Sequence, residues 1–281
     1  MQDTLGDRVK SQYEDRTRYS LPRRTYTIIR LDGKAFHTYT RGLEKPFDKG
    51  LFEDMDAAII AMLPEIQGAQ FAYTQSDEIS ILLTDFAQPT TSAWFDGNLQ
   101  KMCSVAASII TAEFNKVRAR RWGNAFRANM LMSSHGMDEE ACDHGDTKEF
   151  QLAYFDARVF TIPDPTEVMN YFIWRNQDCS RNSVSMVAQS LYSHKELHGK
   201  NTTEKHEMIH QAGKNWATDY TDGEKNGRII IKETYVAEAP KGYDSQNNPI
   251  GLVERTRWVS KGAWKFTENK EQLAAKIPRY E

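Results

Sequence analysis

The stretch "YTIIRLDGKAFHTY", residues 26–39, begins as a β-strand and ends in polar residues. β-branched and aromatic residues without helical spacing run as far as Leu31, which is typical of a buried strand. Asp32 and Gly33 then predict the end of the strand in a turn. Basic and aromatic residues follow immediately, and the formation of a turn does not explain their presence. They are Lys34, Phe36 and His37.

The composition predicts a globular protein. A length of 281 residues with 40% apolar content is sufficient for an extensive core, and no repeat, low-complexity tract or clear linker divides the chain. Because no apolar run approaches a bilayer span and the start is polar, we expect a cytoplasmic protein without membrane contact. Three cysteines at irregular spacing predict reduced thiols. The formal charge of -3 argues against nonspecific nucleic-acid coating but allows a local basic patch.

Hydrophobic spacing predicts strands and helices along most of the chain. Strands are expected at 26–31, in a hairpin that bends at 75–78, and at 153–162, 227–236 and 252–259. Helices are expected at 48–63, 93–121 and 165–191, with Asp48 as a plausible N-cap of the first. The segments 133–149 and 239–249 are predicted to be surface loops.

Two acidic strand ends, Asp32 in "RLDG" and Asp77 in "QSDE", are candidate metal ligands. Enzymes that transfer nucleotidyl groups use carboxylates on neighbouring strands to hold two Mg²⁺ ions, which stabilise the attacking and leaving oxygens. Without a Cβ, Gly33 would let its backbone approach a metal or a phosphate closely. The alternative is that both aspartates are ordinary turn residues.

Further polar residues could bind phosphate or RNA. Lysine point charges, hydroxyl groups and turn amides suit a triphosphate, and they predict contacts from Lys34, His37, Lys45 and Ser76. Basic helices with nearby tryptophans could follow an RNA backbone and stack on its bases. Solvated surface charge is the alternative in each case.

Two smaller patterns have simpler explanations. His135, Cys142 and His144 match no common zinc spacing and favour an acidic loop. Cys179 could be a nucleophile, but its apolar helical neighbours favour a buried thiol.

Three segments together resemble the signature segments of the tRNA-His guanylyltransferase superfamily. They are "RLDGKAFHTYTRGLEKPFD", "AYTQSDEISILL" and "WRNQDC", and the resemblance runs from about residue 24 to residue 235. It implies an α+β fold in which a polymerase-palm-like antiparallel sheet packs with helices. The implied organisation is a single catalytic domain over 1–281, with a palm-like core at about 24–163 and a helical RNA-binding and C-terminal strand region at about 164–281.

The resemblance also implies roles for individual residues. Asp32 and Asp77, with the backbone carbonyl of Gly33, would bind two Mg²⁺ ions, and Glu78 would join the two aspartates as a catalytic residue. The implied nucleotide-binding residues are Lys34, Phe36, His37, Lys45 and Ser76. The residues implied in RNA binding or activation are Lys101, Arg158, Arg175, Arg181, Asn182 and Lys205.

One segment distinguishes branches of the superfamily. After "WRNQDC" the eukaryotic guanylyltransferases have His-Ile-Asn-Asn, whereas this chain has Ser180, Arg181, Asn182 and Ser183. The segment is similar to the bacterial and archaeal Thg1-like branch, which extends 5′-truncated tRNAs against a template strand. Met186 stands near the expected place of a triphosphate-binding asparagine. The resemblance therefore assigns no residue of this chain to that triphosphate contact.

The reaction implied by the resemblance is template-dependent 3′–5′ nucleotide addition, which would repair truncated tRNA. ATP would convert a 5′-monophosphate into a 5′-adenylate, and the 3′-hydroxyl of an NTP such as GTP would then attack it and expel AMP. The alternatives are strict tRNA-His guanylylation and a noncatalytic RNA- or nucleotide-binding protein. A homo-oligomer, by resemblance a tetramer, is expected.

Overall fold

The computed structural model describes residues 4–134, 150–238 and 251–280. Within them, six strands form one sheet in the order β4-β1-β3-β2-β5-β6, and every neighbouring pair is antiparallel. The strands are β1 (Tyr26–Gly33), β2 (Ala69–Gln75), β3 (Glu78–Leu83), β4 (Phe155–Ile162), β5 (Arg228–Glu238) and β6 (Leu252–Gly262). The predicted α+β fold with an antiparallel sheet is confirmed.

Helices cover both faces of this sheet. They are α1 (Leu5–Val9), α2 (Phe36–Tyr39), α3 (Lys49–Met62), α4 (Leu99–Ser134), α5 (Pro165–Leu191), α6 (His194–Leu197), α7 (Thr202–Gln211), α8 (Trp216–Asp219), α9 (Asp222–Asn226) and α10 (Lys270–Ala274). Among the described residues, no helix combines the length and the apolar character needed to cross a membrane.

The alternation of side chains in the strands divides the core into two layers. Ile29 and Leu31 of β1 pack with α3 and α4 on one face of the sheet. Tyr26 and Ile28 point to the other face, where α5 and the C-terminal segment, including Phe266, cover them. Even-numbered positions of β1 therefore face α5, which determines where Asp32 points.

The first strand is longer than predicted. Asp32 and Gly33 continue β1 and are opposite Asp156 and Phe155 of β4. The turn begins only at Lys34, because the neighbouring strand offers backbone partners as far as Gly33. The expectation that Asp32 and Gly33 form the turn was therefore wrong by two residues.

The hairpin between β2 and β3 has the predicted bend. Gln75 is opposite Glu78, so Ser76 and Asp77 are the two loop residues. Ser76 has a φ of 49°, a left-handed conformation that two-residue hairpins require and that non-glycine residues adopt at a cost. This tight turn holds Asp77 at the end of the sheet.

Three helix boundaries test the sequence patterns. The predicted helices over 48–63 and 165–191 are found as α3 and α5, and the Asp48 side chain caps α3 by accepting from the Leu51 N–H at 2.6 Å. Helix α4 begins at Leu99 rather than at 93, because Phe95 and Asp96 have positive φ. It also continues to Ser134, so the predicted loop over 133–149 begins inside a helix, and its remainder lies outside the described residues.

Candidate functional site

A cavity of about 660 Å³ opens between the ends of β1, β2 and β3, helix α5 and the segment before β5. Cavities of this volume accommodate small-molecule ligands and cofactors. Six predicted site residues line it, and the sheet and α5 bring them together from three parts of the chain. These residues are Asp32, Ser76, Asp77, Glu78, Arg175 and Asn182.

Asp32 and Asp77 are the two carboxylates predicted to bind metal. Asp32 lies at the end of β1 and Asp77 lies in the β2–β3 turn, and both side chains line the cavity. The pKa of Asp77 is raised to about 6, chiefly by burial; the nearby charges of Asp32 and Glu78 also raise it, while hydrogen bonds from Ser76 and the backbone lower it. A carboxylate with this pKa loses its charge readily unless a cation stabilises it.

These residues fit a hard divalent cation in the chemistry of their donors. Carboxylate oxygens are the ligands that Mg²⁺ prefers, and it commonly uses only one or two of them together with substrate phosphates and water. Within 4–134, 150–238 and 251–280, no cluster of three or more His, Cys, Asp or Glu side chains could hold a metal by itself. The site therefore suits a metal that enters with a phosphorylated substrate.

Glu78 is paired with two arginines inside the cavity wall. Its carboxylate accepts from Arg175 Nε at 2.6 Å and Nη2 at 2.7 Å, and it also accepts from Arg30 Nη2. Arg175 is buried and lies over the Trp174 ring, 4.5 Å from its centroid. These ion pairs connect β1, β3 and α5. They also occupy the carboxylate oxygens with which Glu78 would bind a metal or transfer a proton.

A second cavity, of about 140 Å³, adjoins the first. Phe47, Phe52 and Ser76 line both, while Lys45 lines the smaller one. Asp48 fixes the loop that carries Lys45, because its side chain accepts from the Glu44 N–H at 3.2 Å as well as capping α3. Ser76 therefore lines both the cavity of the two aspartates and the cavity of Lys45, and a lysine and a hydroxyl are groups that a triphosphate site uses.

Comparison with known proteins shows which family this chain belongs to. The sequence model of the Thg1 family, described as tRNAHis guanylyltransferase, matches residues 6–163, more than half of the 281 residues. The chain belongs to the Thg1 family. Its named members are tRNA nucleotidyltransferases, and the family resemblance of the signature segments is thereby confirmed.

Two solved structures cover almost the whole chain. A bacterial tRNA(His) guanylyltransferase (Thg1)-like protein in complex with ATP is 35% identical, with a TM-score of 0.77 over 98% of this chain and 99% of that one. A bacterial protein of the same description in complex with GTP is also 35% identical, with a TM-score of 0.72 over 99% of this chain and 100% of that one.

Sequence relatives among viruses and eukaryotes are more distant. The uncharacterized protein R259 of Acanthamoeba polyphaga mimivirus is 29% identical over 68% of this chain, which spans 64% of that protein. Arabidopsis thaliana tRNA(His) guanylyltransferase 2 is 28% identical over 73% of this chain and 35% of its own length. The Debaryomyces hansenii tRNA(His) guanylyltransferase is 26% identical over 88% of this chain and 89% of its own length.

Three predicted nucleotide-binding residues of this Thg1-family protein lie outside both cavities. Phe36 is buried in the core, where its ring packs against Tyr39, Phe114 and Phe155. A Cβ on Gly33 would come within 2.2 Å of the Phe36 ring, which gives the glycine a packing role besides the predicted one. The other two residues are exposed: Lys34 lies in the turn after β1 and His37 lies in the short helix α2.

Most residues predicted for RNA binding or activation are exposed and scattered. Lys101 is on α4, Arg158 is on β4 beside Asp156 at 3.8 Å, and Arg181 pairs with Asp178 at 3.2 Å. The Lys205 ammonium donates to the Ser185 hydroxyl at 3.1 Å, close to the larger cavity. Arg175 differs from the expectation, because its buried guanidinium is bound to Glu78 and is not presented to RNA.

The two minor sequence patterns have different outcomes. Burial raises the pKa of the Cys179 thiol to about 11, so this cysteine is an inert core residue and not a nucleophile. His135, Cys142 and His144 lie outside the described residues.

Sequence reasoning missed several residues of the cavity. Arg30 lies two positions before Asp32 in β1, and the period of a strand places both on the α5 face. That signal was available in "IIRLDG". The positions of Gln75, Trp174 and Arg228 carried no such signal, because their role depends on strands and helices that meet only in the folded chain.

Proposed function

We propose that this protein adds nucleotides in the 3′–5′ direction to the 5′ end of truncated tRNA, using the opposite strand as template. The observation that carries the proposal is the convergence of Asp32 and Asp77 on a cavity of about 660 Å³ beside Ser76. Family membership and the complexes of similar bacterial proteins with ATP and GTP support a reaction on nucleotides.

The reaction has two stages at one site. The 5′-phosphate of the RNA attacks the α-phosphorus of ATP, forms a 5′-adenylate and releases pyrophosphate. The 3′-hydroxyl of an NTP then attacks the activated 5′-phosphorus, a new O–P bond forms, and AMP leaves. Lys45 and Ser76 would bind the triphosphate and orient it, so that positioning supplies much of the rate.

Asp32, Asp77 and the backbone of Gly33 would hold Mg²⁺ as ATP or NTP enters. When bound, the ions neutralise phosphate charge and lower the pKa of the attacking hydroxyl. The raised pKa of Asp77 reflects a carboxylate that burial destabilises without a counter-charge, and this supports its role as a ligand.

The segment after Asp178 supports repair rather than strict tRNA-His guanylylation. Ser180 donates to the backbone carbonyl of Asn176 at 3.2 Å and to the Asn226 side chain at 3.0 Å, and Ser183 is buried. The Ser180 hydroxyl therefore has structural partners at the position where the eukaryotic guanylyltransferases have their histidine. Base pairing with a template can then select the nucleotide, while the protein contacts backbone and shape.

A matched pair of aspartate variants tests the metal site. Asp32→Asn removes a ligand charge from the cavity, whereas Asp156→Asn changes the exposed aspartate opposite it on β4. We expect Asp32→Asn to lower both adenylylation and nucleotide addition on a 5′-monophosphorylated truncated tRNA by at least about a hundredfold, since even outer-shell changes cost 10- to 100-fold. Asp156→Asn should retain activity. Equal activity of both variants would refute the assignment.

A substrate panel separates the alternatives. The protein would be incubated with tRNA-His and with several other tRNAs that lack a 5′ nucleotide, together with ATP, the four NTPs and Mg²⁺. Templated extension of several tRNAs is the expected result. Exclusive use of tRNA-His would instead establish guanylylation, and nucleotide binding without any extension would indicate a noncatalytic protein.

We also propose a homotetramer, on the basis of the family resemblance alone. Light scattering after gel filtration should then give about four times the chain mass of 32.3 kDa. A monomer at micromolar concentration would contradict this.

A further inference from the structure

Trp174 is an exposed aromatic residue in the wall of the larger cavity. It lies on α5 and lines the cavity of about 660 Å³ together with Asp32 and Asp77, yet 49% of the residue is exposed. Tryptophan is highly buried on average in folded proteins, because its large apolar surface is removed from water. Packing of the core therefore does not explain an open indole beside the two carboxylates.

The indole is held in one orientation. Arg175 lies over the Trp174 ring, 4.5 Å from its centroid, and Tyr171 forms a T-shaped pair with the same ring at a centroid distance of 6.0 Å. Arg175 is fixed in turn, because Glu78 accepts from its Nε and Nη2 at 2.6 and 2.7 Å. Since the guanidinium covers one face of the ring, the exposed part of the indole is chiefly its other face.

Basic side chains lie near this indole on two elements. Arg181 is seven residues after Trp174, about two helical turns, and so lies on the same face of α5. Arg158 is on the edge strand β4, on the same face of the sheet as Phe160, whose ring packs with Tyr171 at 5.7 Å. Both guanidinium groups are exposed. Their surface ion pairs with neighbouring aspartates contribute little energy, so phosphate groups can compete for them.

We propose that the open face of Trp174 stacks on the 5′-terminal base of the RNA. RNA ends are recognised through bases that stack on aromatic side chains, while basic side chains contact the phosphates. Arg158 and Arg181 favour an RNA end over a free nucleotide, because only RNA brings further backbone phosphates past them. The smaller cavity with Lys45, which we assign to the triphosphate, does not include Trp174. The stacking contact rests on the proposed function, because it assumes that an RNA 5′ end enters the larger cavity.

Two tryptophans of equal exposure provide a matched test. Trp174→Leu removes the aromatic face from the cavity, whereas Trp174→Phe keeps an aromatic ring there. Trp122→Leu is the control, because Trp122 is 50% exposed on α4 but lines neither cavity. Thermal melting would check the fold of each variant.

The probe is an RNA hairpin that has the sequence of a tRNA acceptor stem and lacks its first 5′ nucleotide. A second hairpin of the same sequence carries an abasic ribose at its 5′ terminus and so presents no base to the indole. Fluorescence anisotropy would measure the Kd of each hairpin, and calorimetry would measure the Kd of ATP with Mg²⁺. Removing the indole and removing the base together form a double-mutant cycle, which isolates the contact between them.

We expect Trp174→Leu to weaken binding of the intact hairpin about tenfold, which lies within the range for loss of one base–aromatic stack. Trp174→Phe should recover most of this affinity. On the abasic hairpin, the Kd of Trp174→Leu should stay within about twofold of the parent value. Trp122→Leu should match the parent protein on both hairpins, and the Kd of ATP should be the same in all variants.

Four results would overturn the stacking contact. Equal weakening of both hairpins would mean that Trp174 contacts the RNA backbone or only supports Arg175. Weaker ATP binding with unchanged hairpin binding would place the base of the nucleotide on the indole instead. Unchanged binding of every probe would remove Trp174 from the site, and a parent protein that binds neither hairpin would leave the contact without a ligand.

An extension assay on the parent protein keeps the two hypotheses apart. If the parent protein binds the intact hairpin through Trp174 but extends no RNA, the stacking contact stands and the proposed function fails. If it extends truncated tRNA and Trp174→Leu binds the intact hairpin as the parent does, the proposed function stands and the stacking contact fails.

Discussion

Asp77 should make the proposed Mg²⁺ binding dependent on pH. Burial raises the pKa of its carboxyl group to about 6, so the group is protonated below that pH, and a protonated carboxyl does not bind Mg²⁺. We expect Mg²⁺ affinity to be constant above about pH 7 and to fall about tenfold per pH unit below about pH 6. Calorimetric titration with Mg²⁺ and ATP between pH 5 and 8 measures this.

The stability of the Asp77→Asn variant provides an independent test of the raised pKa of Asp77. The folded protein binds the Asp77 proton more tightly than the unfolded chain does, so the ionised carboxylate costs stability once the pH rises through about 6. Without metal, Asp77→Asn should therefore raise the free energy of unfolding at pH 8 but not at pH 4. Denaturant unfolding at both pH values would show no difference if Asp77 titrates normally.

Ser76 combines a left-handed backbone conformation with a hydroxyl that we propose binds triphosphate, and two substitutions separate these two features. Ser76→Gly removes the strain of its φ of 49°, whereas Ser76→Ala keeps it, so the glycine variant should be about as stable as the parent or up to about 1 kcal/mol more stable. Both variants lose the hydroxyl and should bind ATP with equal, weaker affinity. Normal ATP binding by Ser76→Ala would remove Ser76 from the triphosphate site.

The ion pairs of Glu78 hold α5 against the sheet. Removing the carboxylate would leave Arg30 and Arg175 without their shared partner in the wall of the cavity. We expect Glu78→Ala to destabilise the protein by about 3–5 kcal/mol in denaturant unfolding, as for other broken buried pairs. Lys116→Ala, whose partner Glu113 is on the surface of α4, should cost less than about 1 kcal/mol.

A second variant, Glu78→Gln, decides between a structural and a catalytic role of Glu78. Glu78→Gln should lower stability in either case, because Arg30 and Arg175 lose their shared carboxylate. If the role of Glu78 is structural, activity should return in part at a lower temperature at which the variant is folded; if it is catalytic, the folded variant should stay inactive.

Local chemistry made some elements predictable from sequence and left others hidden. Asp48 and Pro165 are strong helix-start signals, and α3 and α5 begin where they indicate. Asp32 and Gly33 are strong turn signals locally, but backbone pairing with β4 keeps them in the strand. Local propensity is overridden wherever a neighbouring strand supplies hydrogen bonds, and the sequence around residue 32 does not reveal that neighbour.

The candidate site shows the same division at longer range. Asp32 and Asp77 could be proposed because each sits in a recognisable segment next to a strand. Arg228 could not, because its partner Asp56 is 172 residues away and the pair meets only once β5 joins the sheet. Residues whose role depends on distant partners are the ones that only the folded structure identifies.

The molecule as a whole should unfold as one unit. Strand β2 lies between β3 and β5, so the predicted palm-like core at about 24–163 and the remainder of the chain share one sheet. Phe71 and Tyr73 also pack with Phe172 and Phe266 from the later part. We expect a fragment ending at residue 163 to lack dispersed NMR signals, while the full chain melts in a single calorimetric transition. A folded fragment would show that the core is an independent domain.

The shared sheet also constrains how the chain can fold as it is synthesised. A ribosome delivers Phe71, Tyr73 and Leu82 long before Phe266 and Leu273, which cover the same face of the sheet. The nascent chain therefore carries an uncovered apolar surface through most of its translation, when such surfaces are prone to aggregate. The apolar face that carries Phe71, Tyr73 and Leu82 is therefore fully covered only after Phe266 and Leu273 have been synthesised.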